Sequence, residues 1–227
     1  VLAINQSLYS QMPYDSNTAF APITNMVKTT NMLIVTPSLP VKTVAEFIAY
    51  GKSNPGKLTY ASSGAGGTIH LSAELFKSMT GIRMEHIAYK SSPLAHIDMI
   101  SGQVQAMFDA MPTALPQTKA GRLRAVAVTT AKRSPQVPDL SAIAETLPGF
   151  DAAGWFGYAA PAKTPKAVIA ALNKEIVRIL ALPDVKERLI QQGADPVGDT
   201  PEEFQKYIQA EAAKWGKLIK SLNLKID

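Results

Sequence analysis

Hydrophobic positions change period several times along this chain, and the changes predict alternating strands and helices. Asn31-Met32-Leu33-Ile34-Val35-Thr36 is a continuous apolar run, the pattern of a central parallel strand covered on both faces. Thr43 followed by Glu46 forms a capping box that opens a helix with Val44, Phe47 and Ile48 inward. A turn at Asn54-Pro55-Gly56 leads into a short strand, Lys57 to Ala61. Leu71, Leu75, Phe76 and Met79 then recur at three- and four-residue spacing, which predicts a helix. Arg83 to Tyr89, Val104 to Asp109 and Leu123 to Thr129 read as further strands, with helices over Leu94 to Ile100 and Pro112 to Lys119 between them. This alternation predicts a parallel α/β lobe with right-handed crossovers.

The flanks read differently. Val1 to Ile4 resembles the end of a buried strand, followed by a helical turn or loop from Asn5 to Tyr9. Ala19 to Val27 reads as a strand interrupted at Pro22. Pro135, Pro138 and Pro148 mark an irregular stretch before another apolar strand, Trp155 to Ala160. Three helices close the chain. The first has Thr164 as N-cap, Pro165 at N1 and a stripe of Val168, Leu172, Ile176 and Ile179. The second runs from Val185 to Gln192 and stops at Gly193. The third opens on a capping box at Thr200 and Glu203, with Phe204, Ile208, Trp215, Ile219 and Leu222 on one side. Two central-looking strands, Met32–Thr36 and Trp155–Ala160, thus flank a self-contained β-α block. The expected division is a first lobe of residues 1–33 and 155–227 and an inserted second lobe of residues 34–154, joined by a two-stranded hinge.

Composition narrows the function classes. The 227 residues are 46% hydrophobic and 18% charged, ordinary for a folded globular chain. No apolar run approaches the roughly 20 residues needed to span a bilayer, and no secretory leader is present, so export would require one already removed. A net charge of +5 is spread without basic runs, which disfavours nucleic acid and leaves a mild attraction for anions. The absence of cysteine excludes disulfides and thiolate chemistry. His70, His86 and His96 stand in no metal-ligand spacing, and no nucleophile motif occurs, so no catalytic residue, metal or cofactor is expected.

The chemistry-bearing stretch is Tyr60-Ala61-Ser62-Ser63-Gly64-Ala65-Gly66-Gly67-Thr68-Ile69-His70, read as strand, small-residue loop and helix start. Glycines let the backbone turn sharply and leave N–H groups uncovered, and a helix N-terminus adds unpaired N–H groups and a positive dipole end. That combination suits a carboxylate or phosphate; the alternative is a simple tight connection. Ile69 stands where a dinucleotide fingerprint needs glycine, and neither a phosphate loop nor a Gly-x-Ser-x-Gly elbow is present.

With these pieces placed, the sequence resembles the Bug-type periplasmic solute receptors of tripartite tricarboxylate transporters. The matching segments are Tyr60-Ala61-Ser62-Ser63-Gly64 through His70-Leu71, Gly102-Gln103-Val104-Gln105-Ala106-Met107-Phe108-Asp109, and Leu123-Arg124-Ala125-Val126-Ala127-Val128-Thr129 with Lys132-Arg133-Ser134-Pro135. Trp155-Phe156-Gly157 and Thr200-Pro201-Glu202-Glu203-Phe204 complete the pattern. The resemblance implies a type II periplasmic-binding-protein-like fold with a two-lobed cleft that closes on a small carboxylate by hinge motion. It also implies a first lobe truncated at its N-terminus, because family members begin with a strand, a Pro/Gly-rich loop and a helix that would precede Val1. Tyr89-Lys90-Ser91-Ser92 departs from the family, which commonly shows glycine after Tyr-Lys.

The roles implied are these. Backbone N–H groups of Gly64, Ala65, Gly66, Gly67 and Thr68, with the Ser62, Ser63 and Thr68 hydroxyls, would hold one carboxylate. Asp109, at the end of a strand, would accept from the ligand or from water, or else cap the next helix. His70 would donate to the ligand or serve the structure, Phe156 would wall the cleft, Trp155 would pack in the core, and Tyr89 and Asn5 are further contacts. The expected partners are a small carboxylate ligand (a dicarboxylate or tricarboxylate, an acidic amino acid, or an aromatic carboxylate such as nicotinate) and the membrane subunits of the transporter, with the receptor periplasmic and monomeric. Few arginines cluster, which disfavours a multiply charged ligand gripped by bidentate pairs. Two alternatives stand beside transport: a sensor presenting the carboxylate to a membrane signalling partner, and an enzyme acting on a small carboxylate.

Overall fold

A computed structural model describes residues 2–225. In chain order it begins with α1 (Asn5–Leu8), β1 (Phe20–Thr29), β2 (Asn31–Val35), α2 (Val44–Ser53), β3 (Leu58–Ser62) and α3 (Thr68–Thr80). There follow β4 (Met84–Ala88), α4 (Ser92–Ile100), β5 (Ala106–Ala110), α5 (Met111–Lys119), β6 (Arg124–Val128) and α6 (Ile143–Thr146). The chain closes with β7 (Gly154–Pro161), α7 (Lys166–Leu180), α8 (Pro183–Gln191), β8 (Ala194–Pro196) and α9 (Pro201–Ser221). Thr29–Gly154 form one compact unit, and the residues up to Lys28 with those from Trp155 onward form another.

The inserted unit is built on a five-stranded sheet of order β4-β3-β5-β2-β6. β3 runs parallel to β4 and β5. The apolar run of β2 is central and buried throughout, but it lies antiparallel to both β5 and β6. Burial on both faces fixes a central position and not a direction, because an antiparallel ladder satisfies the same backbone groups. β2 also places the division between units at Lys28/Thr29 instead of after residue 33, since the inserted sheet pairs with it on both edges. One face carries Phe47, Phe76, Phe108 and Phe150, whose rings meet through Phe76 at 5.8, 5.5 and 6.1 Å. The other carries Met32, Ile34, Ala61, Met99, Met107 and Met111, the alternate residues of the same strands and the helices above them. α3 buries Ile69, Leu71, Ala73 and Phe76, while Met79 is exposed, so its inner face is turned from the expected stripe.

The other unit holds a three-stranded sheet, β7-β1-β8. β1 passes through Pro22 without interruption. Val197 and Gly198 donate to the carbonyls of Met26 and Asn25, beyond the proline, so that flank needs no donor from it. β7 is an outer strand of this sheet among the described residues, with Phe156 62% and Tyr158 52% exposed, which corrects its reading as central. Trp155 is half-buried and meets Phe204 and Tyr207 edge-on at 5.6 and 5.7 Å. Gly157 makes room for that packing, because a Cβ there would lie 2.3 Å from the Phe204 ring. α9 begins on the expected capping box and buries Phe204, Ile208, Trp215 and Ile219, with Leu222 left exposed. α7 begins one residue later than expected, after Pro165, and buries Ile169, while Val168, Leu172 and Ile179 are exposed. Amphipathic spacing identifies an apolar stripe without saying what covers it. Leu2 to Ile4 form a turn that leads into α1, where a strand end was expected; Val1 lies outside the described residues.

Candidate functional site

β3, β4 and β5 run the same way and end together, with Ser62 beside Ala88 and Ala61 beside Met107. The carboxyl edge of such strands is where open α/β sheets bind ligands. From it the loop 63–67 leads into α3. Gly64 and Gly66 take φ of 128° and 76°, the left-handed region that only glycine enters cheaply. Gly67 is the N-cap and supplies no side chain to the helix, whereas Thr43 and Thr200 cap α2 and α9 with reciprocal boxes. The first intrahelical bond of α3 is Leu71 N–H to Gly67 O at 2.9 Å. The N–H groups of Thr68, Ile69 and His70 therefore lack helical partners and sit at the positive end of the dipole. Ser63, Ala65, Gly67 and Thr68, in the loop and at the helix start, are all exposed.

The underside of the loop is tied down. Ser62 is fully buried, and its hydroxyl donates to Gly64 O at 2.9 Å and meets His86 Nε2 at 2.7 Å. Gly66 N–H donates to His70 Nδ1 at 2.9 Å. The His70 and His86 rings stack 4.1 Å apart, and Tyr60 stacks on His86 at 4.9 Å. Tyr60 O–H donates to Glu74 Oε1 at 2.5 Å, which also accepts from Lys77 Nζ at 2.6 Å. Burial, then the proximity of His86, holds His70 down at about 4, and burial also lowers His86. Burial raises the Tyr60 phenol, reinforced by Glu74.

On the opposite face of the sheet, Asp109 is completely buried at the end of β5. Its Oδ1 accepts from Ser92 Oγ at 2.6 Å, and its Oδ2 from Thr113 Oγ1 at 2.7 Å and His96 Nε2 at 2.8 Å. These bonds tie the strand end to the first turns of α4 and α5. Tyr89 N–H donates to Ser62 O at 2.8 Å, and its hydroxyl donates to Asp98 at 2.7 Å. Burial, then Asp98, raises that phenol to about 12.

An open, donor-rich loop at the carboxyl edge of an α/β sheet is the geometry of an anion receptor. The family model described as the tripartite tricarboxylate transporter family receptor matches residues 2–224. The chain belongs to that family. The UPF0065 protein in the tcbD–tcbE intergenic region of Pseudomonas sp. is 34% identical over 220 residues, 96% of this chain and 66% of its own length. The chain thus spans about two thirds of that relative. Among solved structures, R. palustris Rpa4515 with adipate is 38% identical at a TM-score of 0.85, covering 99% of this chain and 76% of its own. The periplasmic binding protein BugD is 31% identical at 0.81, covering 99% and 77%. The fold is the periplasmic-binding-protein-like α/β fold of these receptors.

In this family member the candidate residues fall into separate places. The loop residues Ser63 to His70 lie together, and Tyr89 is tied to them through Ser62. Asp109 leaves the same edge but turns to the other face. Asn5, half-buried at the start of α1, and Phe156, exposed on β7, belong to the other unit. His86 was not anticipated, because its place beside Tyr60 depends on strand register, which a lone sequence does not reveal. Glu74 was readable as the residue one helical turn after His70. Thr30 Oγ1 and Asn31 Nδ2, at the β2 end of the edge, are buried without a protein partner. A cavity of about 630 Å³ elsewhere in the unit is lined by Met32, Leu115, Arg124, Val137 and Leu140. The Arg124 guanidinium there is committed to the carbonyls of Pro37, Leu39 and Val41, so it is not a ready anion clamp.

Proposed function

We propose that this chain is an exported, periplasmic solute receptor that takes a small dicarboxylate and delivers it to the membrane subunits of a tripartite tricarboxylate-type transporter, acting as a monomer. One ligand carboxylate sits on the loop from Ser63 to Thr68 and the first turn of α3, with the Ser63 and Thr68 hydroxyls as side-chain donors. The uncapped start of α3 carries this reading: its N–H groups are unpaired and its dipole unopposed, where α2 and α9 close themselves with capping boxes. The adipate held by the 38% identical R. palustris relative supports a dicarboxylate as the ligand class.

Binding fits this chemistry better than catalysis. Ser62 has an imidazole neighbour, but its own proton is committed to Gly64 O, so His86 acts towards it as a donor and not as a base. Tyr89 is a secondary contact in this reading, and Asp109 acts by holding the sheet edge.

Calorimetric titration with adipate tests the reading. Removing both hydroxyls in Ser63→Ala/Thr68→Ala should weaken binding about tenfold, near 1.4 kcal/mol for two exposed donors, with the melting temperature unchanged. Equal affinity in the double variant would sink the site, and failure of any small dicarboxylate to bind would sink the function.

A further inference from the structure

The underside of the loop gathers more titratable chemistry than a turn requires. Tyr60 comes from β3, His70, Glu74 and Lys77 from α3, and His86 from β4, all joined by the stacking and hydrogen bonds described above. The dicarboxylate reading leaves these groups without a task.

We propose that His70 and His86 are positioning residues of the carboxylate site: as neutral imidazoles they hold Gly66 and Ser62 so that the loop N–H groups stay aimed at the ligand, which neither ring touches. This deepens the function proposed above and rests on it for the identity of the ligand.

Counting protons fixes both tautomers. The Ser62 hydroxyl has one proton, and it goes to Gly64 O. Gly64 N–H, at 3.3 Å, and His86 Nε2, at 2.7 Å, must then both donate to Ser62 Oγ, so His86 carries its proton on Nε2. His70 Nδ1 accepts from Gly66 N–H, so its proton is also on Nε2, pointing towards Glu74 Oε1 at 3.9 Å. That distance is too long for a hydrogen bond. Glu74 is already engaged by Tyr60 and Lys77, which blunts its pull on a second proton. The two rings are 4.1 Å apart, and both could be charged only against mutual repulsion. A proton added to His70 Nδ1 would set two donors against each other across 2.9 Å, at a glycine turned into the left-handed region. The brace therefore works only while His70 is neutral. Burial keeps it so over the range in which an ordinary imidazole titrates. Protonating His86 on Nδ1, by contrast, would leave its bond to Ser62 in place.

The test compares wild type, His70→Asn, His70→Ala and His86→Gln by circular dichroism, adipate titration, amide exchange at Gly66 and imidazole nitrogen-15 spectra. Asparagine Oδ1 can replace Nδ1 as acceptor, and glutamine Nε2–H can replace the His86 donor; neither titrates in this range. His70→Ala should bind adipate at least tenfold more weakly at pH 7 and lose Gly66 protection. His70→Asn and His86→Gln should keep affinity within about threefold. The wild-type spectra should show both imidazoles as Nε2–H tautomers, with His70 still neutral at pH 5.5. Full affinity in His70→Ala, an Nδ1–H tautomer at His70, or a folded His70→Asn as weak as the alanine variant would each overturn the proposal. Should His70→Ala not fold, the asparagine and glutamine variants with the tautomers decide. Should wild type bind no adipate, the dicarboxylate reading falls, while Gly66 exchange and the tautomers still judge the brace.

Discussion

Asp109 and the loop from Ser63 to His70 leave the same sheet edge from neighbouring strands, yet they direct their hydrogen bonds oppositely. The Asp109 oxygens turn inward, where Ser92, His96 and Thr113 satisfy them. The loop divides its donors: Gly64 and Gly66 N–H turn inward to Ser62 and His70, which tie it down together with His86, while the N–H groups of Thr68, Ile69 and His70 at the helix start have no helical partner. Both places combine small polar residues with a histidine at the junction of a strand and a helix. Residue type does not separate a structural knot from a binding surface; saturation does. A carboxylate with three internal donors has little capacity left for a ligand, whereas a helix start without a cap has donors that only solvent or a ligand can meet.

The sharpest way to break this contrast is Asp109→Ala. It strands two buried donors, Ser92 and His96, leaves the half-buried Thr113 hydroxyl only the Ala110 carbonyl, and unties β5 from the starts of α4 and α5. Breaking such a buried charged network costs about 3–5 kcal/mol, which for a chain of this size means a fall of roughly 10 °C or more in the melting temperature. Thermal unfolding monitored by circular dichroism measures it, with adipate affinity taken well below the transition. A large loss of stability with affinity retained is the expected result. Lost affinity at unchanged stability would make Asp109 a ligand contact and erase the contrast.

The loop cluster has a smaller signature that depends on pH. His70 is depressed from its ordinary 6.5 to about 4 in the folded protein. Between those values the unfolded chain binds more protons than the folded one, so stability rises with pH. The contribution is complete above about pH 6.5, declines as pH falls towards 4, and changes no further below that. For a buried imidazole the span is worth about 3 kcal/mol at most, and His86 shifts in the same direction. Urea titrations at intervals from pH 7.5 to 4 should show the decline, and His70→Asn should remove most of it. An equal decline in both proteins would place the titrating group elsewhere.

How much of this was legible before the structure varies with the physics of each feature. The capping boxes at Thr43 and Thr200 depend on residues three apart, so they could be read directly and stand as expected. The loop's shape was legible for a similar reason, since Gly64 and Gly66 meet a local backbone requirement. The direction of β2 was not, because an apolar run is equally satisfied by either kind of ladder. The stripe on α7 is legible as apolar, but its spacing does not say what covers it, and Val168, Leu172 and Ile179 are exposed. Sequence alone leaves the roles of Asp109 and His70 open between ligand and structure, because the deciding partners, His96 and Gly66, are selected by tertiary placement. His86 is the extreme case, since no local pattern connects it to Ser62, 24 residues earlier.

Gly67 offers the smallest change and the most direct one. It occupies the N-cap of α3 with φ −74° and ψ 169°, an ordinary extended conformation open to any residue, and a Cβ there would meet nothing within 4 Å. Gly67→Asp should therefore be sterically neutral and give α3 the cap that α2 and α9 already have. Its carboxylate would accept from the N–H groups of the first turn and oppose the helix dipole, adding about 0.5–1 kcal/mol, seen as a rise of a few degrees in the melting temperature. The same carboxylate would be a tethered competitor for the donors assigned to the ligand, so adipate affinity measured by calorimetry should fall at least tenfold. Stability and binding would then move in opposite directions through one substitution, which a merely structural loop has no means to produce. If the variant is stabilised and binds adipate as wild type does, the carboxylate is held somewhere other than the start of α3, and the outward-facing donors of this loop have no more to do with binding than the inward-facing ones at Asp109.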